Sequence, residues 1–392
     1  MESVMQYRTD PKNGNQLSVL GFGCMRFPKK AELCEDLITT AIKLGVNYFD
    51  TAHLYLGSEV TLGKILKKHG LREKIFIADK LPHFRCKSRS DIDRQFGESL
   101  QRLQTDYIDY YLIHNIGAVD AWKRLEPFGI KEWIAEKKKS GAIRNIGFSF
   151  HGKSVDFLPL LEAYEWDFCM IQYNYLNEFY QAGTAGFNAI EDRGMAVIVM
   201  EPLLGGHLAH KLPQKAIRMF DEVVPNRSPA AWAFKWLWNK PGVTVAISGM
   251  NDMNHLNENV KTAENTPANS LTDEELAVYA KATEVISEAY KVPCTGCDYC
   301  MPCPKGVNIP ASFGAYNMSY VVGYVSGLSL YINATLGLGT VSSSPSKCNK
   351  CGVCIKKCPQ EIDIPNRLKN VRKRLEPLPV RLALKLAKRI MG

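Results

Sequence analysis

Between residues 17 and 262 the chain alternates short apolar runs with longer stretches whose apolar positions recur every three or four residues. The short runs predict strands at 18–21, 48–51, 75–80, 108–114, 145–149, 170–173, 196–201 and 244–248. The stretches between them predict amphipathic helices, among them 59–68, 90–103, 119–140 and 228–239. Strands alternating with helices form βαβ units, whose strands lie parallel. Eight such units over roughly 250 residues are expected to close as an α/β (β/α)8 TIM barrel. An open dinucleotide-binding sheet is disfavoured, because Gly21-Phe-Gly23 lacks the third glycine of its phosphate-binding turn. A last helical stretch, 272–291, leads into Pro293 and ends the barrel region.

Cysteine usage changes this picture. Cys24, Cys34, Cys86 and Cys169 are scattered, whereas the other eight of the twelve fall between Cys294 and Cys358. The first sixteen residues are polar, without a signal peptide's apolar core, so a cytoplasmic location is expected and a disulfide framework is not. The clustered thiols therefore point to metal. They form two runs, Cys294-x2-Cys297-x2-Cys300-x2-Cys303-Pro and Cys348-x2-Cys351-x2-Cys354-x3-Cys358-Pro. The second is the bacterial ferredoxin pattern, in which three close thiolates hold one cubane and the fourth reaches the other. Two [4Fe–4S] clusters are expected, with Cys294, Cys297, Cys300 and Cys358 on one and Cys303, Cys348, Cys351 and Cys354 on the other. The first run is one residue short before its Cys-Pro, which leaves that pairing open. Four-cysteine zinc sites are the alternative, but they separate two pairs by a longer loop. Pro304-Lys-Gly-Val-Asn-Ile-Pro310 and Pro359-Gln-Glu-Ile-Asp-Ile-Pro365 repeat one pattern, the mark of an internal duplication. The region is similar to helical dicluster ferredoxin modules. The expected domains are a barrel at 1–291, a small, mostly helical ferredoxin-like domain at 292–366 and a basic tail at 367–392.

Hydrophobic content of 46% and charged content of 23% are ordinary for a globular protein. The net charge of +9 is local: residues 366–392 carry nine Lys or Arg against one Glu, a net of +8. The main body is nearly neutral, so nucleic acid is not expected as a partner. The tail is amphipathic at helical spacing and reads as a helix on its own protein; an acidic electron-carrier protein or an anionic membrane surface are the alternative partners. The apolar stretch 320–340 is broken by Gly, Ser, Asn and Tyr and reads as a buried or interfacial segment, not a membrane span.

Four polar residues fall at or just past expected strand ends, where a barrel places its chemistry: Asp50, Tyr55, Lys80 and His114. A phenol with a pKa of about 10 is a poor acid at neutral pH. An ammonium beside it is expected to favour the phenolate and lower that value. Asp50 would hold Lys80 charged, and His114 would orient a carbonyl oxygen. Any one of them has an ordinary packing explanation; four complementary types at successive strand ends do not.

With these residues in place, the barrel region resembles the aldo-keto reductase family, whose catalytic tetrad is Asp, Tyr, Lys and His. Further agreement lies in Gly147-Phe-Ser149, Ile171-Gln172-Tyr-Asn174, Glu201-Pro-Leu203 and Ser248-Gly249 followed by Glu258-Asn259. The order of barrel and then two cysteine runs is similar to a subgroup from anaerobes with a ferredoxin-like tail. The resemblance implies exchange of hydride between a nicotinamide and a small-molecule carbonyl or alcohol. Tyr55 would donate the proton, Lys80 and Asp50 would tune it, and His114 would orient the substrate. It also places Ser149, Gln172, Glu201, Leu203, Ser248, Gly249, Glu258 and Asn259 at the nucleotide, with phosphate contacts from the 203–206 backbone.

The departures cluster on the cofactor side. Phe150 stands where an asparagine usually helps hold the carboxamide, and Met200 where an aromatic ring stacks on the nicotinamide. Asn251 and Asp252 replace the cation that pairs with the 2′-phosphate, favouring NADH over NADPH. Clusters pass single electrons whereas nicotinamide passes hydride, so a flavin is a further candidate cofactor. Phe27, Tyr55, His83, Phe84, Phe150 and His151 are expected around the pocket. The expected function is an oxidoreductase interconverting carbonyl and alcohol, with Tyr55 as general acid/base and electrons passing through the clusters. The alternatives are an NAD(P)H-dependent carbonyl reductase with structural clusters and an electron-transfer or adaptor module without carbonyl chemistry.

Overall fold

The structure, a computed structural model, describes residues 4–152, 154–321, 323–335, 343–378 and 380. An antiparallel hairpin, β1 (Tyr7–Thr9) and β2 (Gln16–Ser18), comes first. Eight parallel strands follow: β3 (Leu20–Gly23), β4 (Tyr48–Asp50), β5 (Phe76–Leu81), β6 (Ile108–Ile116), β7 (Ile143–Phe150), β8 (Phe168–Gln172), β9 (Ala196–Met200) and β10 (Val243–Ser248). They pair in chain order, and β10 closes the ring between β9 and β3. Each expected strand is present. The helix expected at 119–140 is instead Val119–Lys123, a single turn at Glu126–Phe128 and Ile130–Lys139. Pro127 lacks the donor that would continue the ladder, and Gly129 takes a left-handed φ of 67° that ends it.

Side chains alternate across a strand, so one set fills the barrel and the other meets the helices. Tyr48, Ala78, Tyr110, Leu112, Phe168, Met170, Ala196, Ile198 and Val245 pack together as the interior. Phe148 and Phe150, one step out of phase with Gly147, instead meet Phe157 of the helix Ser154–Leu161. Gly147 has to be small: a Cβ there would lie 2.5 Å from the Phe168 carbonyl oxygen. Its missing side chain makes room for the Phe168 ring, which meets Tyr110 edge to face.

Polar residues at the N-terminus have a structural use that their composition alone did not reveal. Tyr110 Oη donates to Asp10 Oδ2 at 2.9 Å, Asn13 Nδ2 donates to Asn145 Oδ1 at 2.8 Å, and Asn15 Nδ2 donates to Tyr110 Oη at 3.1 Å. The hairpin loop thus joins the N-terminal mouth of the barrel, the end that serves stability.

The chain divides into two compact units, Met1–Leu203 with Ala230–Thr272, and Leu204–Pro229 with Asp273–Gly392. Residues 204–229 and the helix Asp273–Ala289, assigned by sequence to the barrel domain, therefore group with the cysteine region. In that second unit, helices Ile309–Val321, Tyr324–Thr335 and Ile364–Leu375 surround a core of Val307, Ile309, Phe313, Tyr331, Ile362 and Ile364. The boundary expected at 366 falls inside the last helix, whose Leu368, Val371 and Leu375 are core residues. Residues 381–392 of the basic tail lie outside the described residues. Among the described residues no helix is long and apolar enough to cross a membrane.

Candidate functional site

The period of two carries the interior face of each strand from the packed core to its C-terminal end. Two residues beyond Tyr48, Ala78 and Leu112 that face presents Asp50, Lys80 and His114, all buried. Lys80 Nζ donates to Asp50 Oδ2 and to the Thr51 carbonyl, each at 2.6 Å. Tyr55 is brought in by the loop after β4. Thr51 N–H bonds the Ala78 carbonyl, Tyr55 N–H bonds Ala52, and Ser58 N–H bonds Tyr55, which folds the loop into two successive turns. The Ser58 hydroxyl, 2.7 Å from Thr51 Oγ1, donates to the Cys24 carbonyl and ties this loop to the end of β3. Lys80 Nζ lies 5.0 Å from the Tyr55 ring centroid, and the His114 ring meets the Tyr55 ring edge-on at 5.9 Å. All four tetrad residues converge.

Their electrostatics differ from the sequence expectation in one respect. Burial, with Asp50 and Glu201 adding negative charge, holds the Tyr55 phenol well above its ordinary pKa. Lys80 does not reverse this in the resting site, since its ammonium is bonded to Asp50. Burial raises Asp50 as well, opposed by Lys80. Burial, with Lys80 and neighbouring histidines, pushes His114 well below the usual imidazole range. The site therefore offers a neutral phenol and a neutral imidazole over a buried ion pair.

His83 and His151 are both pushed down to about 4, mainly by burial. The unfolded chain takes up protons at these imidazoles near the ordinary 6.5, which the folded chain refuses, so their contribution to stability is lost as pH falls from there. Asp79 acts in the opposite sense, because burial beside Glu59 raises its carboxyl. A variant comparison isolates the histidine effect: His83→Gln is expected to flatten the fall in denaturant midpoint between pH 7 and pH 5, as followed by tryptophan fluorescence. An unchanged slope contradicts it.

Four of the eight residues expected at a nucleotide make side-chain hydrogen bonds within the protein. Ser149 Oγ accepts from the Asn115 N–H at 2.8 Å, and Gln172 Oε1 accepts from Gln181 Nε2 at 2.7 Å. Asn259 Nδ2 donates to Ser248 Oγ at 3.1 Å, both residues being buried. Glu258 is exposed, and Glu201 follows β9 with a φ of 53°. Leu203 closes the first unit, so the 203–206 segment crosses from one unit to the other. Gly249 precedes the helix Met253–Glu264, whose N-cap Asp252 accepts from the Asn254 N–H. Phe150 faces Phe157 in the helix layer and leaves the expected aromatic pocket lining. Gln181 was missed by sequence reasoning; it sits in an irregular loop with φ 56°, where no periodicity marks it.

The eight clustered cysteines fall into two groups of four. Cys294, Cys297, Cys300 and Cys358 line one cavity; Cys303, Cys348, Cys351 and Cys354 line another. Each Pro-x5-Pro repeat ends by opening a helix, Ile309–Val321 or Ile364–Leu375, beside these cavities. Burial pushes the Cys294 and Cys300 thiols up to about 12, with neighbouring sulfurs adding repulsion. Four sulfur donors around one apolar cavity fit a cationic iron–sulfur core. Cys24, Cys34, Cys86 and Cys169 are buried free thiols, and burial raises all four.

Comparison with known proteins accords with this geometry. The model of the aldo/keto reductase family matches residues 19–282, and that of a 4Fe-4S dicluster domain matches residues 293–369. The uncharacterized oxidoreductase YqkF of Bacillus subtilis is 25% identical over 304 residues, covering 68% of this chain and 93% of its own. An aldo-keto reductase of Bacillus halodurans in its holo form superposes with a TM-score of 0.59 at 28% identity, over 71% of this chain and 96% of that one. One from Klebsiella pneumoniae, solved with NADPH, shares the fold at 22% identity and a TM-score of 0.57, over 71% of this chain and 95% of its own. The chain belongs to the aldo-keto reductase family and is an oxidoreductase carrying a 4Fe–4S dicluster domain.

Proposed function

We propose that this oxidoreductase interconverts a small carbonyl compound and its alcohol, with Tyr55 as general acid/base and electrons exchanged through two [4Fe–4S] clusters. One cluster would be held by Cys294, Cys297, Cys300 and Cys358, the other by Cys303, Cys348, Cys351 and Cys354. The observation carrying the catalytic part is the buried Lys80–Asp50 pair beside Tyr55, with His114 at the ring edge.

The substrate carbonyl oxygen accepts hydrogen bonds from the Tyr55 hydroxyl and the His114 imidazole. As carbon gains electron density, Tyr55 passes its proton to that oxygen. The phenolate left behind is stabilised by the Lys80 ammonium in a site largely closed to water, where charges interact strongly. Asp50 keeps the ammonium at the right place; His114, being neutral, donates without adding a competing positive charge. Overall, carbonyl, two electrons and two protons give alcohol, one proton coming from Tyr55 and one from water. The clusters, when bound, supply those electrons one at a time.

Ser149 and Gln172 each accept one bond within the chain, from Asn115 and Gln181, which neither requires nor excludes a nicotinamide. No step is therefore assigned to it. If a nucleotide does bind, the Asp252 carboxylate at the helix N-terminus favours NADH over NADPH by repelling a 2′-phosphate.

Anaerobic purification followed by iron, sulfide and cofactor analysis tests the reading. About eight irons and eight sulfides per chain are expected, without stoichiometric nicotinamide. Tightly bound NAD(P)H that turns over carbonyl in cluster-free protein would instead establish a nicotinamide-dependent reductase with structural clusters. Full clusters without any carbonyl or alcohol turnover would establish an electron-transfer module.

A further inference from the structure

The rims of the two cysteine cavities differ in charge. Beside the cysteines of the first, the exposed acids Asp298 and Glu361 stand with Lys357, which precedes Cys358. Around the second, Lys347, Lys350, Lys356 and Lys357 are all exposed within one short segment that contains no acid, and Lys305 stands on the cavity lining. Two apolar side chains, Val353 and Ile355, sit among these lysines, each 40% exposed. Cys351, of the same segment, is the exposed member of the eight clustered cysteines.

We propose that this face docks an acidic one-electron carrier protein, which exchanges electrons with the cluster held by Cys303, Cys348, Cys351 and Cys354. The proposal rests on the cluster reading above and adds the port and the chemistry of the partner. Neighbouring ammonium groups repel one another, and a complementary acidic surface removes that repulsion while steering encounter. A small apolar centre inside a charged rim is the anatomy of a transient protein interface. A bare phosphate polymer would use the lysines and leave Val353 and Ile355 in water. The exposed Cys351 gives a docked donor a short approach to the metal. In the transfer itself the reduced carrier loses one electron and the cluster gains one; no proton moves and no bond breaks.

Binding is measured with an oxidised acidic ferredoxin as probe, at low and high salt, on holoprotein whose iron and sulfide have been counted. The triple variant Lys350→Glu, Lys356→Glu, Lys357→Glu is compared with a control triple on barrel helices, Lys64→Glu, Lys67→Glu, Lys139→Glu. Wild type and control are expected to bind at low salt and to weaken steeply as salt rises. The variant is expected to bind about tenfold or more weakly at low salt, with its iron content and its reduction by dithionite unchanged. Equal binding by the variant, salt-independent binding, or competition by anionic phospholipid vesicles as strong as by ferredoxin would overturn the port. Low iron in wild type would overturn the cluster reading instead, so the two failures are distinguishable. Val353→Asp, which adds a charge without reversing one, is expected to weaken binding as well.

Discussion

Tyr55→Phe is expected to lower carbonyl turnover by about 10²–10⁴-fold, the range attributed to a positioned acid or base. Iron content and fold should stay as they are. The substitution keeps the ring that meets His114 and Lys80 and removes only the oxygen. Since burial holds the phenol well above its ordinary pKa, the resting group carries its proton throughout the neutral range. No loss of activity is therefore expected there from phenol ionisation. Lys80→Met should look different. It strands the Asp50 carboxyl, whose side chain is 8% exposed, and breaking a buried pair in this way costs about 3–5 kcal/mol. Parallel kinetics and denaturant unfolding separate the two: activity falls in both variants, stability mainly in the second. Turnover unchanged in Tyr55→Phe would remove it from the chemistry.

The second large effect concerns the clusters. Cys300→Ala is expected to reduce iron from about eight to about four per chain, whereas Cys169→Ala should leave it at about eight. Cys300 lines the first cavity and packs against the core of the second unit, while Cys169 lies on β8 inside the barrel wall. Stripping the metal with a chelator should go further. Six of the eight cysteines pack against the core shared by Val307, Phe313 and Ile364, so emptying both cavities removes much of what fills that unit. All six tryptophans lie in the barrel unit. Their fluorescence should keep its cooperative transition in the stripped protein, while helical circular dichroism drops. Loss of both signals together would mean the units do not fold separately.

Much of the architecture was legible because it depends on short-range pattern. Apolar runs such as 196–201 are buried on both faces in a parallel sheet, so they stand out against the amphipathic stretches between them. The tetrad was legible for the same reason, since residues two apart share a face and strand ends locate the chemistry. Spacing suggested the cysteine grouping but left it open, and each cavity is lined by one of the two suggested sets of four. What escaped depends on partners distant in sequence. Asn13 and Asn145 are 132 residues apart, and nothing near either one announces their bond. Gln181, in an irregular loop, gives no sign that it occupies Gln172. The Tyr55 shift was misjudged in direction because proximity to an ammonium was read without the desolvation that outweighs it. Phe150 was placed at the pocket by adjacency to Ser149, although neighbours on a strand face opposite ways.

The central claim is that electrons from the clusters reach a carbonyl at Tyr55. Its most direct test is anaerobic: reduce the clusters stoichiometrically, remove the reductant, and add a panel of aldehydes and ketones with no nicotinamide present. The visible spectrum and alcohol formation are followed together. Cluster reoxidation in step with alcohol, two electrons per molecule, and abolished by Tyr55→Phe, is the predicted result. Clusters that stay reduced while the same carbonyls are turned over with added NADH would contradict it.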